Sequence, residues 1–278
     1  MLSVRAGEKT IPYGFDFKAF RYKDSNNPVE KIDANCRGSS IMVGEAMFGD
    51  KRCKVALADL NSNGLFNDCE QDLFRGDRFF VDLNGNGKFD HQPGDEESFA
   101  YAQYARIGGK WYTPEASPDG GTVQIQPSQP AFGTVKAPAH VKSVGVSSSR
   151  QFQRLAFKGK PVEALTGDYQ VRNITVEITD EQGRWWTTDG RYRQTGPKLS
   201  IEPNQQAALI DVLPLTIQVA VLPASVPDVI DLEPRIMDRY GGSFSTLRQN
   251  NGRYEPPACL IIKDAEGNQV VQADLKYG

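Results

Sequence analysis

The chain has 278 residues, enough for about two or three domains, and its 32 basic and 35 acidic residues give a formal net charge of −3. No basic stripe of the kind that neutralises phosphates runs through the sequence, so nucleic acid is not an expected partner. The most apolar window, 209–226, contains an aspartate and two prolines. Such interruptions argue against a transmembrane segment, which needs about 20 apolar residues.

Glycine and proline are frequent, with 26 and 17 residues, and long segments with helical spacing of apolar residues are missing. This composition predicts an all-β protein in which many turns join short strands. Three units are predicted: a β domain with two loops at 1–130, an immunoglobulin-like or prealbumin-like β-sandwich at 131–211, and a second such sandwich at 212–278. The first boundary is placed in the proline- and serine-rich stretch 126–140.

The first motif in chain order is DLNSNGLFNDCE, residues 59–70. Calcium takes about six to eight oxygen ligands, and a loop of about 12 residues supplies them from positions 1, 3, 5, 7, 9 and 12, with glycine at position 6. Here Gly64 falls at position 6, and Phe66 at position 8 is expected to anchor the loop in the core. The predicted ligands are Asp59, Asn61, Asn63, the carbonyl of Leu65, Asn67 through a water molecule, and Glu70 as a bidentate carboxylate.

A second stretch, DLNGNGKFDHQP, repeats this pattern from residue 82. Its predicted ligands are Asp82, Asn84, Asn86, the carbonyl of Lys88, and Asp90. Position 12 is Pro93, so the closing carboxylate is expected from the acidic run that follows, Asp95, Glu96 and Glu97. Three further aspartates, one within the first stretch and two after it, are candidates for additional or shared ligands: Asp68, Asp72 and Asp77.

An alternative interpretation is that Asn63-Gly64 and Asn86-Gly87 are type I′ hairpin turns, for which Asn-Gly is a strong signal. Two copies, each with Asp at position 1, Asn at positions 3 and 5 and Phe at position 8 and each followed by carboxylates, favour Ca²⁺ instead. Asparagine at positions 3 and 5 reduces the charge that faces the ion, so affinity is expected in the weak class of about 0.1–1 mM. Such sites fill outside the cytosol.

The expected location is therefore secreted, periplasmic or at the cell surface. The first residues are of mixed character, which by itself fits either a cytosolic protein or a secretory leader that is absent from this numbering; the weak calcium loops favour the second. The four cysteines, Cys36, Cys53, Cys69 and Cys259, form no C-x-x-C pair, which argues against a zinc or thioredoxin-like site. Two disulfides in one of three pairings, or four buried thiols, are both open interpretations.

Three later segments alternate apolar and polar residues with a period of two, which predicts half-buried strands. Their expected core faces are Ile174, Val176 and Ile178; Leu215, Ile217, Val219 and Val221; and Val271, Ala273, Leu275 and Tyr277. A short helix is predicted over residues 231–240.

The two loops resemble the calcium loops of EF-hands and dockerin modules over residues 59 to about 97. Short apolar segments, KVALA and RFFV, lead into them where an EF-hand has helices, so the pattern predicts a strand followed by a calcium loop, twice. The wider pattern resembles uncharacterised secreted bacterial proteins in which such loops precede immunoglobulin-like domains. The matching stretches are VDLNGNGKFD at 81–90, IGGKWY at 107–112, LTGDYQV at 165–171 and DAEGNQVVQADLKYG at 264–278.

This resemblance implies a secreted structural or adhesive protein without known catalysis. The motifs of serine hydrolases, zinc proteases, P-loop proteins and dinucleotide-binding proteins are missing, and the sequence has two histidines, His91 and His140, so no enzyme is expected. The predicted function is calcium-dependent adhesion or assembly at a bacterial cell surface. Other surface proteins, or a second copy of the chain, are the expected partners.

The alternative function is a calcium-stabilised carbohydrate-binding accessory module with a polysaccharide partner. Aromatic rings on which a sugar could stack are Trp185 and Trp186, Trp111 and Tyr112, and Tyr101 with Tyr104. Adjacent strand residues point to opposite faces, so one of Trp185 and Trp186 is expected in the core.

Overall fold

The structure is a computed structural model, and it describes residues 2–6, 9–23, 30–38, 41–69, 76–89, 97–193, 196–222, 231–245, 247–249 and 259–274. Every regular element in these ranges is a β-strand. The all-β prediction is therefore confirmed. Within the same ranges, no helix is long and apolar enough to cross a membrane.

The strands up to residue 127 are β1 (Leu2–Ala6), β2 (Lys9–Tyr13), β3 (Phe15–Lys23), β4 (Glu30–Gly38), β5 (Ile41–Phe48), β6 (Lys51–Ala58), β7 (Arg78–Val81), β8 (Ser98–Ala100), β9 (Ala105–Ile107), β10 (Lys110–Ala116) and β11 (Val123–Pro127). The later strands are β12 (Phe132–Lys136), β13 (Val141–Ser147), β14 (Phe152–Ala156), β15 (Val162–Leu165), β16 (Gly167–Thr179), β17 (Trp185–Arg191), β18 (Lys198–Ile201), β19 (Gln206–Ala208), β20 (Thr216–Leu222), β21 (Asp231–Met237), β22 (Ser243–Phe244), β23 (Arg248–Gln249), β24 (Cys259–Lys263) and β25 (Gln269–Asp274).

The chain divides into two compact units. The first comprises Met1–Ala131 with Ser147–Gln153, and the second comprises Phe132–Val146 with Arg154–Gly278. Strands on both sides of the predicted boundary at 211/212 belong to one sheet, because β17 pairs with β22 through Gly190 and Phe244.

The first unit is built around an antiparallel sheet in the order β5-β6-β7-β8. A second antiparallel sheet has the order β11-β10-β9, and two hairpins pair β1 with β2 and β3 with β4. Apolar side chains of β6 and β7 alternate into the core, where Leu57, Phe79 and Val81 are buried. Phe66, from the first loop, joins this core and is fully buried, as predicted.

The second unit has a sandwich-like arrangement in which two sheets share one core. The larger sheet has the order β14-β13-β16-β17-β22-β21-β20, with β18 and β23 paired to β16 and β17, and the smaller has the order β15-β12-β19. Val135 and Ala164 of the smaller sheet pack in one cluster with Val144 of the larger. The predicted core residues Ile174 and Val176 of β16 are buried, because their β-branched side chains alternate with polar ones along the strand.

The helix predicted over 231–240 is wrong, since Asp231–Met237 forms β21 and pairs with β20. The residue before a proline is disfavoured in the helical region, so Pro234 holds Glu233 in an extended conformation. The expected core face of β20 is also wrong for Ile217, Val219 and Val221, which are 69%, 48% and 71% exposed.

Candidate metal centre

Both predicted loops begin at the residue that follows a strand. Asp59 comes after the last residue of β6, and Asp82 after the last residue of β7. Both aspartates are buried. Because β6 and β7 are antiparallel, the two loops leave from opposite ends of the same sheet.

The loops are not two-residue hairpin turns. Ala58 pairs with Arg78, so residues 59–77 connect β6 to β7, and Phe80 pairs with Ser98 in the same way across the second loop. A type I′ turn at either Asn-Gly would pair the strands on its two sides directly. The hairpin interpretation is therefore wrong.

Both loops close around the first aspartate through the glycine at position 6. The Gly64 N–H donates to Asp59 Oδ2 at 2.7 Å, and the Gly87 N–H donates to Asp82 Oδ2 at 2.8 Å. The two glycines have φ of +84° and +79°, in the left-handed region that side chains with a Cβ rarely adopt. The glycine at this position is thus required by the backbone.

The asparagines at positions 3 and 5 repeat a further pair of hydrogen bonds. In the first loop, Asn61 Oδ1 accepts the Asn63 N–H at 3.0 Å, and Asn63 Oδ1 accepts the Leu65 N–H at 2.8 Å. In the second loop, the corresponding bonds are from Asn86 N–H to Asn84 Oδ1 and from Lys88 N–H to Asn86 Oδ1, both at 2.8 Å. An amide oxygen has two lone pairs, so these bonds are compatible with a ligand role.

Asp77 occupies the residue before β7 and is fully buried. Its Oδ2 accepts the Asp68 N–H at 2.7 Å, and its own N–H donates to the Asp68 carbonyl at 3.0 Å. Its Oδ1 is buried without a hydrogen-bond partner in the part of the chain that the structure describes. Burial raises the pKa of this carboxyl from 3.8 to about 7, and the nearby charges of Asp59 and Asp68 raise it further, against the lowering effect of the backbone N–H groups of Asp68 and Leu60.

Asp68 also ties together the amide groups of the first loop. Its Oδ2 accepts hydrogen bonds from Asn61 Nδ2 at 2.9 Å and from Asn63 Nδ2. Asp68 thus connects the amides of the first loop, through its side chain, to Asp77, through its backbone.

The second loop has different neighbours. Glu97, the residue before β8, is buried, and its Oε1 accepts the N–H groups of Leu83 and Asn84 at 2.8 and 3.0 Å. Two lysines of β6 donate to carbonyls of this loop: Lys51 Nζ to Leu83, and Lys54 Nζ to Gly87 at 2.9 Å. Lys54 Nζ also lies 5.3 Å from the centre of the Phe89 ring.

Nine of the predicted ligands lie in described segments: Asp59, Asn61, Asn63, Leu65, Asn67, Asp82, Asn84, Asn86 and Lys88. Glu70, Asp90, Asp95 and Glu96 lie outside the described residues, as do Asp72 and His91. Sequence analysis missed Lys51 and Lys54. Their effect on the second loop depends on the register of β6 against β7, which the motif does not encode.

No three His, Cys, Asp or Glu side chains are arranged as a ready metal site over the segments that are described. The repeated frame consists of one aspartate and two asparagine side chains in each loop. Ca²⁺ takes carboxylate and amide oxygens as ligands, and amide oxygens are not counted in a grouping of His, Cys, Asp and Glu. The residues present therefore fit a calcium loop better than a carboxylate-rich or sulfur-rich centre.

The aromatic pairs divide between core and surface. Trp186 is buried and its Nε1–H donates to Asp180 Oδ2 at 3.0 Å, whereas Trp185 is 48% exposed. The prediction that one of the two lies in the core is confirmed. Tyr101 and Tyr112 are also buried, so their rings are not available for stacking on a sugar.

The cysteine pairing is settled for two of the four residues. Cys53 and Cys69 carry free thiols, and burial raises the pKa of Cys69 to about 11. The interpretation with two disulfides, which requires all four cysteines, is wrong.

Comparisons with protein-family models, with curated proteins and with solved structures found no match. The evidence for the function of this protein therefore comes from the two loops and the residues that contact them.

Proposed function

We propose that this chain is a calcium-binding structural protein, secreted, periplasmic or at a bacterial cell surface, in which bound Ca²⁺ fixes the two loops of the first unit. The observation that supports the proposal is one hydrogen-bond frame, built twice at the ends of neighbouring strands, around Asp59 and Asp82. Burying an ionised carboxylate is costly unless hydrogen bonds and opposite charge compensate. A hard divalent cation with oxygen ligands supplies that charge.

The ion would crosslink loops that have few apolar anchors of their own. In the first loop Phe66 is fully buried, but in the second loop Phe89 is only half-buried. A rigid sheet with two ion-fixed loops suits adhesion or assembly, with other surface proteins or a second copy of the chain as partners. Calcium outside cells is abundant enough to fill sites of about 0.1–1 mM.

Calorimetric titration and thermal unfolding of the whole chain test this proposal. Ca²⁺ is expected to bind with a Kd of about 0.1–1 mM. At a free concentration about tenfold above Kd, one site raises the free energy of unfolding by about 1.4 kcal/mol. The melting temperature is therefore expected to be higher in Ca²⁺ than in EDTA.

Two variants make the measurement specific. Asp59→Asn combined with Asp82→Asn replaces the first carboxylate of both loops with a neutral amide and is expected to abolish the calcium-dependent shift. Asp168→Asn is the matched control, because Asp168 is exposed on β16 and pairs with Ser200. Identical melts in Ca²⁺ and EDTA, with no heat of binding, would contradict the proposal.

Polysaccharide binding is the second candidate, and the exposed ring of Trp185 favours it. Lys142 Nζ lies over this ring, 5.6 Å from its centre. A pull-down with insoluble polysaccharides, wild type against Trp185→Ala, tests it. Retention that is unchanged in the variant would rule out a sugar site at Trp185.

A further inference from the structure

The register of the central sheet brings two buried carboxylates together at the first loop. Ala58 pairs with Arg78, so at the next position along the two strands Asp59 faces Asp77. Residues at directly opposite positions of antiparallel strands have Cα atoms about 4.5–5.5 Å apart. Both side chains are buried, so solvent screens the repulsion between their charges poorly.

The backbone of Asp77 is fixed on both sides. Its N–H donates to Asp68 and its carbonyl accepts the Tyr101 N–H at 2.8 Å. The side chain of Asp77 is also fixed, because its Oδ2 accepts the Asp68 N–H at 2.7 Å. The structure therefore holds a carboxyl group at a defined place beside Asp59, with its other oxygen, Oδ1, buried and lacking a hydrogen-bond partner within the described ranges.

The corresponding position at the second loop is satisfied differently. There the register places Asp82 opposite Lys54, whose carbonyl accepts the Asp82 N–H at 2.9 Å. Glu97, the counterpart of Asp77 before the next strand, uses Oε1 for two backbone N–H groups. A positive side chain is thus close to the second loop, whereas the first loop has the carboxylate pair.

We propose that Asp77, which lies outside the repeated motif, is a ligand of the cation at the first loop, and that its Oδ1 faces the ion together with the carboxylate of Asp59. This inference rests on the proposed function. A divalent cation offsets the repulsion between the two carboxylates and gives the buried oxygen its missing partner. Asp77 directly precedes β7, so an ion that it shares with Asp59 would link the first loop to the sheet.

The test compares Asp77→Asn with wild type by calcium calorimetry and thermal unfolding, each in EDTA and in excess Ca²⁺. Asparagine keeps an oxygen that can accept the Asp68 N–H but removes the charge. The variant is expected to weaken calcium binding at the first loop by at least about tenfold. In EDTA its melting temperature is expected to rise, because the repulsion with Asp59 is gone.

Weaker calcium binding together with a higher melting temperature in EDTA distinguishes a calcium ligand from a residue that only accepts a hydrogen bond. If Asp77 only held the Asp68 N–H, the variant, which keeps that acceptor, would leave the melting temperature in EDTA and the calcium affinity unchanged, which would overturn the inference. Asp168→Asn, an exposed aspartate on β16 that pairs with Ser200, is the control, and it is expected to leave calcium binding unchanged. Asp77→Glu provides a second variant with the charge retained, and it is expected to bind more tightly than Asp77→Asn.

Two further outcomes distinguish the inference from the proposed function. If wild type binds Ca²⁺ and Glu70→Gln, at motif position 12, loses affinity while Asp77→Asn does not, the inference fails and the proposed function stands. If wild type shows neither binding heat nor a calcium-dependent melt, the proposed function fails and the inference fails with it.

Discussion

The two loops share a motif and a hydrogen-bond frame, yet they lie in different electrostatic surroundings. Asp59 of the first loop is opposite Asp77, while Asp82 of the second is opposite Lys54. Both arrangements arise because β7 runs antiparallel to β6 and places different ends of β6 beside each loop. The comparison teaches that a binding motif supplies the ligand frame, whereas strand register decides which charges surround it.

The largest expected difference concerns the aromatic residue at position 8. Phe66→Ala removes a fully buried ring from the core of the first unit and is expected to lower the free energy of unfolding by about 3–5 kcal/mol. Phe89→Ala, its counterpart, removes a half-buried ring and is expected to cost less than half as much. Chemical denaturation of both variants measures the difference. Equal losses would show that the second loop is anchored as firmly as the first.

The next effect tests the frame that the loops have in common. Gly87→Ala meets no atom within 4 Å but places a Cβ at φ +79°, so backbone strain alone is expected to cost about 1–2 kcal/mol. Gly64→Ala, at φ +84°, is expected to cost at least as much. Gly44→Ala in β5 is the control, because it also has open space and no positive φ. Thermal melts that rank Gly44→Ala with the other two would contradict the strain argument.

A smaller effect is expected from removing the lysine that sets the second loop apart. Lys54→Gln takes a positive charge away from Asp82 and from the Gly87 carbonyl, and it is expected to raise calcium affinity at the second loop by about two- to fivefold, as for a partly screened charge pair. Calorimetric titration measures the change. Lys142→Gln, which breaks an ion pair with Glu177 in the second unit, is the control, and a similar gain there would point to net charge instead.

The smallest effect concerns Asp180, which accepts backbone N–H groups within its own turn, as the loop aspartates do, but is not fully buried. Asp180 Oδ1 accepts the N–H groups of Gln182 and Arg184. The hydrogen bond from Trp186, and then those from Arg184, lower its pKa to about 2. This contribution to stability is complete above the usual pKa of 3.8 and is lost as the pH falls through about 2. Carboxyl NMR shifts against pH measure it.

Asp180→Asn is expected to remove that acid dependence and to leave calcium binding unchanged. This outcome would sharpen the contrast between an exposed turn and the buried loop aspartates. A loss of calcium affinity in the variant would instead place an ion at the turn.

Much of the fold can be predicted from the alternation of apolar and polar residues along the chain, and the remainder depends on which strands pair with each other. The alternation around Ile174 and Val176 predicts a core strand, and the motif predicts that Phe66 is buried, because both depend on nearby residues. The strand at Asp231–Met237 depends on its pairing with β20, which local propensity does not reveal. The exposure of Val219 depends on what covers the sheet, and sequence alternation cannot report that.

The site shows the same division. Asp59, Asn61 and their counterparts from residue 82 were predicted as ligands from spacing, and the structure places the described ones in two matching frames. Asp77 was named from sequence only as a possible additional ligand. Its position opposite Asp59 and its unpartnered oxygen depend on the register of β6 and β7.

The length of β7 determines the distance between the two proposed ions, and therefore the strength of the electrostatic interaction between them. Its four residues separate Asp77 from Asp82 by about 16 Å, at about 3.3 Å per residue. Mobile counter-ions screen buried charges much less than exposed ones, and Asp59 and Asp82 are both buried, so an ion at one end of the strand is expected to weaken binding at the other. The protein would then respond to calcium gradually over a wide concentration range.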